Sequence, residues 1–304
     1  MKKLIFTGFL LIILGTVITQ KDKILNLYNE YILKPQGINT TLEKNEYYRN
    51  YNFNYVQNTD NFKPSSKQDI INIFYTTINS GQENFTFYCQ KEYTDCIKDV
   101  KSIANDQTLL SHINNFVHPY NGFKHIETEY DNLGTVKIKI EKSYTGEQIS
   151  VIDYKINEII TNNVNTNDSI ENQIKTIHDY IINTTKYDSN RSDNNIINYK
   201  SDIAYGPLIE GYGICGGYTD AMELFLEKLN IQSYKISSEN HVWNAIYLNN
   251  TWYHLDLTWD DPVTTNNTDI LEHNYFLINT SKLLQIETTQ HTFDQELYSE
   301  LKEA

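Results

Sequence analysis

The chain has 304 residues, a net charge of −14 and 21% charged residues, with much of its remaining polarity in Asn, Thr, Ser and 24 tyrosines. That length allows one large domain or two modest ones. The acidic balance, without a basic cluster, excludes nucleic acid as an expected partner, because binding phosphates needs a cationic face.

Met1-Lys2-Lys3 leads into an apolar run from Leu4 to Thr19, followed by Gln20-Lys21-Asp22. A basic start and a run of this length predict a signal peptide or signal anchor over 1–19 and an extracellular or cell-surface location for the rest. The run is short of the ~20 residues of a spanning helix. Thr16-Val17-Ile18-Thr19 is a poor small-x-small cleavage site. Removal and membrane anchoring through residues 4–19 both stay open. No cysteine follows the run, which excludes a lipoprotein anchor.

Residues 20–34 have helical spacing in Ile24, Leu25, Tyr28, Tyr31 and Ile32. Residues 35–66, with Pro35 and Pro64, read as a tether, so that 20–66 forms a linker or loosely packed arm. Residues 67–165 predict a small α+β domain. Helical segments are expected over 69–78, 91–105 and 108–116, and extended ones over 85–89, 126–130 and 135–143. In the last of these Val136, Ile138 and Ile140 alternate with Lys137, Lys139 and Glu141. Residues 147–160 continue the chain without an assigned element. His112, His118 and His125 have spacings that match no metal site and are expected in solvent or core.

Residues 166–304 carry the chemistry. Asp168 is expected to cap a helix whose stripe is Ile170, Ile174, Ile177 and Ile181. His178-Asp179 on this helix is read as packing or surface, since no partner motif accompanies it. After a polar loop over 187–199, Gly206, Gly211, Gly213, Gly216 and Gly217 crowd the approach to Cys215. Glycine allows tight turns and close approach. The stretch lacks the Lys and Ser/Thr of a phosphate-binding loop. It therefore reads as a turn delivering Cys215 to the first turn of a helix, where the positive end of the helix dipole favours a thiolate. Met222, Phe225, Leu226 and Leu229 form the expected core face of that helix, with Asp220, Glu223, Glu227 and Lys228 toward water. Asn230 suits the left-handed residue that ends it.

Export alters how the cysteines read. Cys89 and Cys96, seven positions apart, are expected to form a local disulfide in an oxidising compartment. Cys215 is then the unpaired thiol and a candidate reactive group. No Cys-x-x-Cys or His-x₃-His spacing occurs, so zinc is disfavoured, and neither metal nor cofactor is expected.

Two strands follow the Cys215 helix's neighbour at 233–237: 241–248, then 251–259 across Asn249-Asn250. Asn accepts the positive φ of a tight hairpin. A two-residue loop puts Trp243 opposite Asp256 and His241 opposite Thr258. His241 and Asp256 then share a face, one diagonal step of ~7–8 Å apart, which the two side chains can bridge. His254 shares that face and is the rival base. It lies beside Asp256 on the same strand, where side chains two apart run parallel, so His241 is the expected partner.

Ala204-Tyr205-Gly206-Pro207-Leu208 through Cys215-Gly216-Gly217-Tyr218, then His241-Val242-Trp243-Asn244 and Asp256-Leu257-Thr258-Trp259-Asp260, resemble the bacterial transglutaminase-like family. Ile177-His178-Asp179-Tyr180 to Lys186-Tyr187-Asp188 resembles its leading helix. The similarity spans roughly residues 168–280. It implies an α+β, papain-like transglutaminase core, preceded here by the smaller α+β domain, with Cys215 as nucleophile, His241 as base and Asp256 as its orienter. Members include cross-linkers, deamidases, peptidases and silent relatives, so the resemblance names no single reaction. No Gln stands shortly before Cys215, where Ile209 and Glu210 lie. The papain-type side-chain oxyanion donor is thus missing, and the backbone amide of Cys215 with a nearby Tyr or Trp would have to serve. No acidic calcium loop is present.

The expected function is thiol chemistry on amide bonds of protein or peptide substrates at the cell surface, through an acyl-enzyme. Water as acceptor gives hydrolysis or deamidation; a lysine amine gives cross-linking. Hydrolysis is favoured slightly, because water needs no second docking site. The alternative is a silent module that grips peptides or cell-wall material through Trp243, Trp252, Trp259 and the tyrosines.

Overall fold

A computed structural model of the chain describes residues 19–28, 42–131, 133–263, 270–287 and 289–302. The expected signal or anchor lies outside them, apart from its last residue. No described helix is long and apolar enough to cross a membrane. Helix α1 (Lys21–Tyr28) falls within the helical stretch expected over 20–34.

Residues 42–66 differ from the loose arm expected. Phe53, Val56 and Phe62 are buried in the main core. Arg49, only 8% exposed, donates from Nη2 to Glu223 at 2.5 Å and from Nη1 to the Phe116 carbonyl at 3.2 Å. Asn79 closes the same turn by accepting from the Arg49 backbone N–H at 3.1 Å and donating to its carbonyl at 2.9 Å. The polar composition that suggested a tether instead supplies the hydrogen bonds that let irregular backbone be buried.

Helix α2 (Lys67–Asn79) opens on a capping box between Ser66 and Asp69. Strand β1 (Asn84–Tyr88) follows, then α3 (Cys96–Asn105) and α4 (Gln107–Asn114), the latter capped by Asp106. The helix expected from Lys91 starts five residues later, because a Cys89–Cys96 disulfide closes the intervening loop. Strands β2 (Phe123–Tyr130) and β3 (Thr135–Lys142) complete an antiparallel sheet of order β1-β3-β2. The alternation in β3 buries Val136, Ile138 and Ile140.

Helix α5 (Gly146–Asn163) occupies the segment left unassigned. Its signal is in the sequence: Thr145 and Gln148 form a capping box, and Ile152, Ile156 and Ile159 make a buried stripe. Helix α6 (Ile170–Thr184) is capped by Ser169, one residue after the expected Asp168, the Ser169 hydroxyl accepting from Asn172 N–H at 3.3 Å. Short strand β4 (Lys186–Tyr187) and helix α7 (Ser189–Asn194) lie in the expected polar loop. Strand β5 (Tyr212–Gly213) pairs with β4 in parallel and feeds α8 (Cys215–Lys228). Strands β6 (Ser233–Ser237), β7 (Val242–Leu248) and β8 (Thr251–Leu255) form an antiparallel sheet in that order, and α9 (Thr280–Ile286) packs beyond it.

The two faces of the β6-β7-β8 sheet serve two cores. Tyr234, Ile236, Trp243 and Ala245 join the core built by the N-terminal strap, helices α2–α4 and strands β1–β3. Ile246, Leu248 and Leu255 point the other way, into a core shared with α5, α6 and α8. The N-terminal residues therefore do not close a separate core before residue 166. They cover one face of the C-terminal sheet, while α5 covers part of the other.

Helix α8 keeps Glu227 and Lys228 toward water as expected, but its first three turns are largely buried, which corrects the other half of the expected polar face. Asp220 and Glu223 are inside. Asp220 accepts from Lys235 Nζ at 2.9 Å and from the Tyr144 hydroxyl at 2.6 Å, and Glu223 meets Arg49. Burying carboxylates is tolerable only because each has a cation or donor opposite. These partners come from distant segments, so nothing in the helix's own periodicity reveals them.

Candidate active site

The approach to Cys215 is set by backbone contacts. Gly211 turns with φ +74°, and a Cβ on Gly217 would come within 2.3 Å of the Ser201 carbonyl oxygen. The chain can thus make its turn and press the first turn of α8 against residues 201–203 only with glycine at these points. Ile214 is the N-cap and its N–H donates to that same Ser201 carbonyl at 2.8 Å. Cys215, a half-buried free thiol, is the first residue of the helix, as the sequence predicts.

Thr219 ties this first turn to the hairpin. Its hydroxyl lies 2.7 Å from the Cys215 carbonyl and 3.0 Å from the Val242 carbonyl, and can donate to either. Asn244 Nδ2 donates to the Thr219 carbonyl at 3.1 Å. Residue 242 follows His241 directly, so these bonds fix the spacing between the thiol and the imidazole.

The hairpin turns as expected through Asn249 and Asn250, with φ of +53° and +65°. Leu248 pairs with Thr251 and Asn244 with Leu255, an even loop that keeps the predicted register. Strand β8 ends at Leu255 rather than at 259. Asp256 stops it by turning its side chain onto the backbone, with Oδ1 accepting from Thr258 N–H at 2.9 Å and Trp259 N–H at 3.2 Å. This leaves Oδ2 facing the hairpin, where His241 Nε2 lies 2.5 Å away. Cys215 lies close enough to the His241 ring to favour its charged form.

Cys215, His241 and Asp256 are therefore brought together, although they come from a helix start, the edge of one strand and the end of the next. Burial opposes charge on His241, but the Asp256 carboxylate and Cys215 outweigh it and raise its pKa to about 10. Burial likewise opposes charge on Asp256, yet His241 and His291 hold it well below the usual carboxylate range. His254, the rival, is occupied elsewhere. Its Nδ1 accepts from Trp243 Nε1 at 2.9 Å and its Nε2 lies 3.0 Å from the Thr280 hydroxyl. Burial first, and then the neighbouring His291, push its pKa down to about 3. It is a neutral packing residue.

His291 escaped the sequence reading. It is buried with Nε2 2.8 Å from Asp256 Oδ2 and Nδ1 2.8 Å from Glu287 Oε2. It lies 35 positions beyond Asp256 in an aperiodic segment, so only tertiary folding joins the two.

His178, read as packing or surface, is fully buried between two carboxylates, Asp179 at 2.9 Å and Asp260 at 3.1 Å. Asp260 Oδ1 also accepts from Tyr275 N–H at 3.0 Å. His178 thereby fastens α6 to the turn that follows Asp256. Among the described residues, His178, Asp179 and His273 could converge on a metal ion, but Lys175 Nζ sits among them, 2.9 Å from Asp179 and 2.6 Å from His273. A cation already fills that place. His241, Asp256 and His291 also converge, and there the imidazoles are hydrogen-bonded to the carboxylate.

Of the aromatic residues, Trp243 is core and stacks on His241, with ring centroids 5.6 Å apart. Tyr187, half-buried on β4, feels Cys215: burial raises its phenol pKa first, the Ser192 hydroxyl works against this, and Cys215 adds to the rise. Trp259, Tyr275 and Lys282 line a cavity of about 410 Å³ beside the site.

Residues 156–257 match the model of the transglutaminase-like superfamily, so the α+β fold carries a transglutaminase-like core there. Two solved structures are similar to the chain. One is a TGase, 15% identical with a TM-score of 0.35, covering 48% of this chain and 48% of that one. The other is a candidate cysteine protease from Cytophaga hutchinsonii, 14% identical with a TM-score of 0.29, covering 48% of this chain and 65% of that one. The chain spans about half the length of the first of these. No curated protein matches it.

Proposed function

We propose that this chain, with its transglutaminase-like domain over 156–257, is an exported thiol enzyme that acts on amide bonds of protein or peptide substrates at the cell surface. The His241–Asp256 contact at 2.5 Å, with the Cys215 thiol at the start of α8 beside that imidazole, is the observation that carries this reading.

In the reaction the Cys215 thiolate attacks the amide carbon. The imidazolium of His241 gives its proton to the leaving nitrogen, and a thioester forms. Asp256 stays ionised throughout and fixes the ring so that the nitrogen facing Cys215 is the one that exchanges the proton. The oxyanion would be met by the Cys215 backbone N–H, which at the first turn of a helix has no intrahelical acceptor. Tyr187 is the nearby phenol able to assist. His241 then takes a proton from the incoming nucleophile, and the thioester is cleaved. Water completes hydrolysis or deamidation, and a lysine amine completes a cross-link. Hydrolysis is the preferred outcome, since water needs no second docking site.

Export is supported by the Cys89–Cys96 disulfide, a bond that persists in oxidising compartments, and by the basic and apolar start of the chain. The test is mass spectrometry of a glutamine- and lysine-containing protein mixture after incubation with wild type or Cys215→Ala. Cleavage, deamidation or Gln–Lys links dependent on Cys215 are expected. Identical mixtures, with wild-type Cys215 unmodified, would leave a binding module as the better description.

A further inference from the structure

Asp256 has no hydrogen-bonding capacity to spare. Its Oδ1 takes the Thr258 and Trp259 amides, and its Oδ2 takes His241 at 2.5 Å and His291 at 2.8 Å. A carboxylate offers about four acceptor positions, and all are used. Two imidazoles from separate segments of the chain, His241 and His291, therefore share one oxygen.

The far side of His291 is equally committed. Glu287 Oε2 accepts from the His291 backbone N–H at 2.9 Å and from Gln290 N–H at 2.9 Å, and it lies 2.8 Å from His291 Nδ1. The backbone N–H of Thr289 donates to the other oxygen at 2.6 Å. Although burial works against the charge on Glu287, these donors hold its pKa at about 2. Asp256 is an acceptor, so a proton on Nε2 is what joins the His291 ring to it. Tyr275 stacks on this ring at 5.1 Å between centroids, and Trp243 and Trp259 meet its edges at 4.8 and 5.2 Å. It has no freedom to turn away.

On the reading that Cys215, His241 and Asp256 act as a triad, we propose that His291 is a positioning residue that shares the Asp256 carboxylate with His241 and so keeps the base able to release its proton. A carboxylate reserved for His241 would hold the imidazolium more firmly and make it a poorer acid toward the leaving nitrogen. By donating to the same oxygen, His291 weakens that hold while the Thr258 and Trp259 amides keep the carboxylate in place. The groups facing His241 are Cys215 from α8, Asp256 from the end of the hairpin and His291 from the C-terminal segment. Behind His291 lie Glu287, Tyr275 and the neutral His254.

The test is the rate at which iodoacetate alkylates Cys215 as a function of pH. An anionic reagent reacts faster beside an imidazolium, so the alkaline limb of the profile reports the loss of the His241 proton. His291→Phe keeps the ring volume but removes the donor, and its alkaline limb is expected to rise by roughly one pH unit. His291→Gln retains an N–H donor toward Asp256, and its limb should stay with the wild type. A Phe profile superimposed on wild type, or a Gln profile displaced as far as the Phe one, overturns the proposal. Should His291→Phe fail to fold, ring ¹⁵N NMR of the wild type decides instead. Protonated Nε2 on both His241 and His291 supports the sharing, and a bare Nε2 on His291 overturns it. His241→Ala is the control that separates the two ideas. An alkaline limb that survives it refutes the triad, whereas a limb that depends on His241 but ignores residue 291 refutes only the sharing.

Discussion

Arg49→Met should destabilise the protein more than any other single change in the strap over 42–66. The Arg49 guanidinium lies 2.5 Å from Glu223, with the two side chains 8% and 0% exposed. At an effective dielectric of ~20, unit charges about 4 Å apart attract by ~4 kcal/mol. Removing the cation leaves Glu223 buried and uncompensated on the helix that carries Cys215, a loss of about 3–5 kcal/mol. The double variant Arg49→Met/Glu223→Leu removes both charges and should return to within about 1–2 kcal/mol of wild type, since burying an ion pair gains little over apolar packing. The assay is urea unfolding followed by fluorescence of Trp243, Trp252 and Trp259, with wild type, both singles and the double. A loss below about 1 kcal/mol for Arg49→Met, the range of an exposed pair, would refute the conclusion that the strap is part of the core. A double variant as unstable as the sum of the singles would refute the charge argument while leaving the packing one.

Replacing Cys89 and Cys96 by serine opens a loop with a sequence separation of seven and should cost about 2–3 kcal/mol on chain-entropy grounds; unfolding with and without reductant checks this, and no difference would mean the bridge does not form. Stability should also fall in mild acid. His254 is neutral in the fold, with its pKa lowered from 6.5 to about 3, so the unfolded chain binds a proton there that the folded one does not. It costs nothing above pH 6.5 and destabilises progressively as the pH falls toward 3. His254→Leu, though less stable at neutral pH through the lost Trp243 bond, should show a flatter decline in urea midpoint over that window. An unchanged slope would argue against the buried, neutral assignment.

The parts of this molecule that were legible in the sequence are those where neighbours in the chain are neighbours in space. The helix opening on Cys215, the alternation in β3 and the Asn249-Asn250 hairpin each rest on a period or a turn residue, and each forms as read. The parity of that hairpin was enough to bring His241 to Asp256 rather than to the wrong face. What the sequence hid depends on contacts between distant segments. Nothing local marks Asp220 and Glu223 as buried, because Lys235, Tyr144 and Arg49 are supplied from elsewhere. The strap over 42–66 reads as a linker because its few apolar anchors, Phe53, Val56 and Phe62, have no period. His291 could not be found at all without the fold. By contrast α5 was legible, and the Thr145/Gln148 box with its isoleucine stripe should have located it.

Whether Cys215, His241 and Asp256 work as one nucleophilic unit is tested most directly by trapping the thioester. Wild type, Cys215→Ala, His241→Ala and Asp256→Asn are incubated with an activated glutamine-peptide ester, quenched in acid and weighed intact, with the modified residue mapped by digestion. One acyl group is expected on Cys215 in the wild type, none in Cys215→Ala, and formation slowed by at least about 10²-fold in His241→Ala and Asp256→Asn. Acylation of wild type no faster than that of His241→Ala would contradict it.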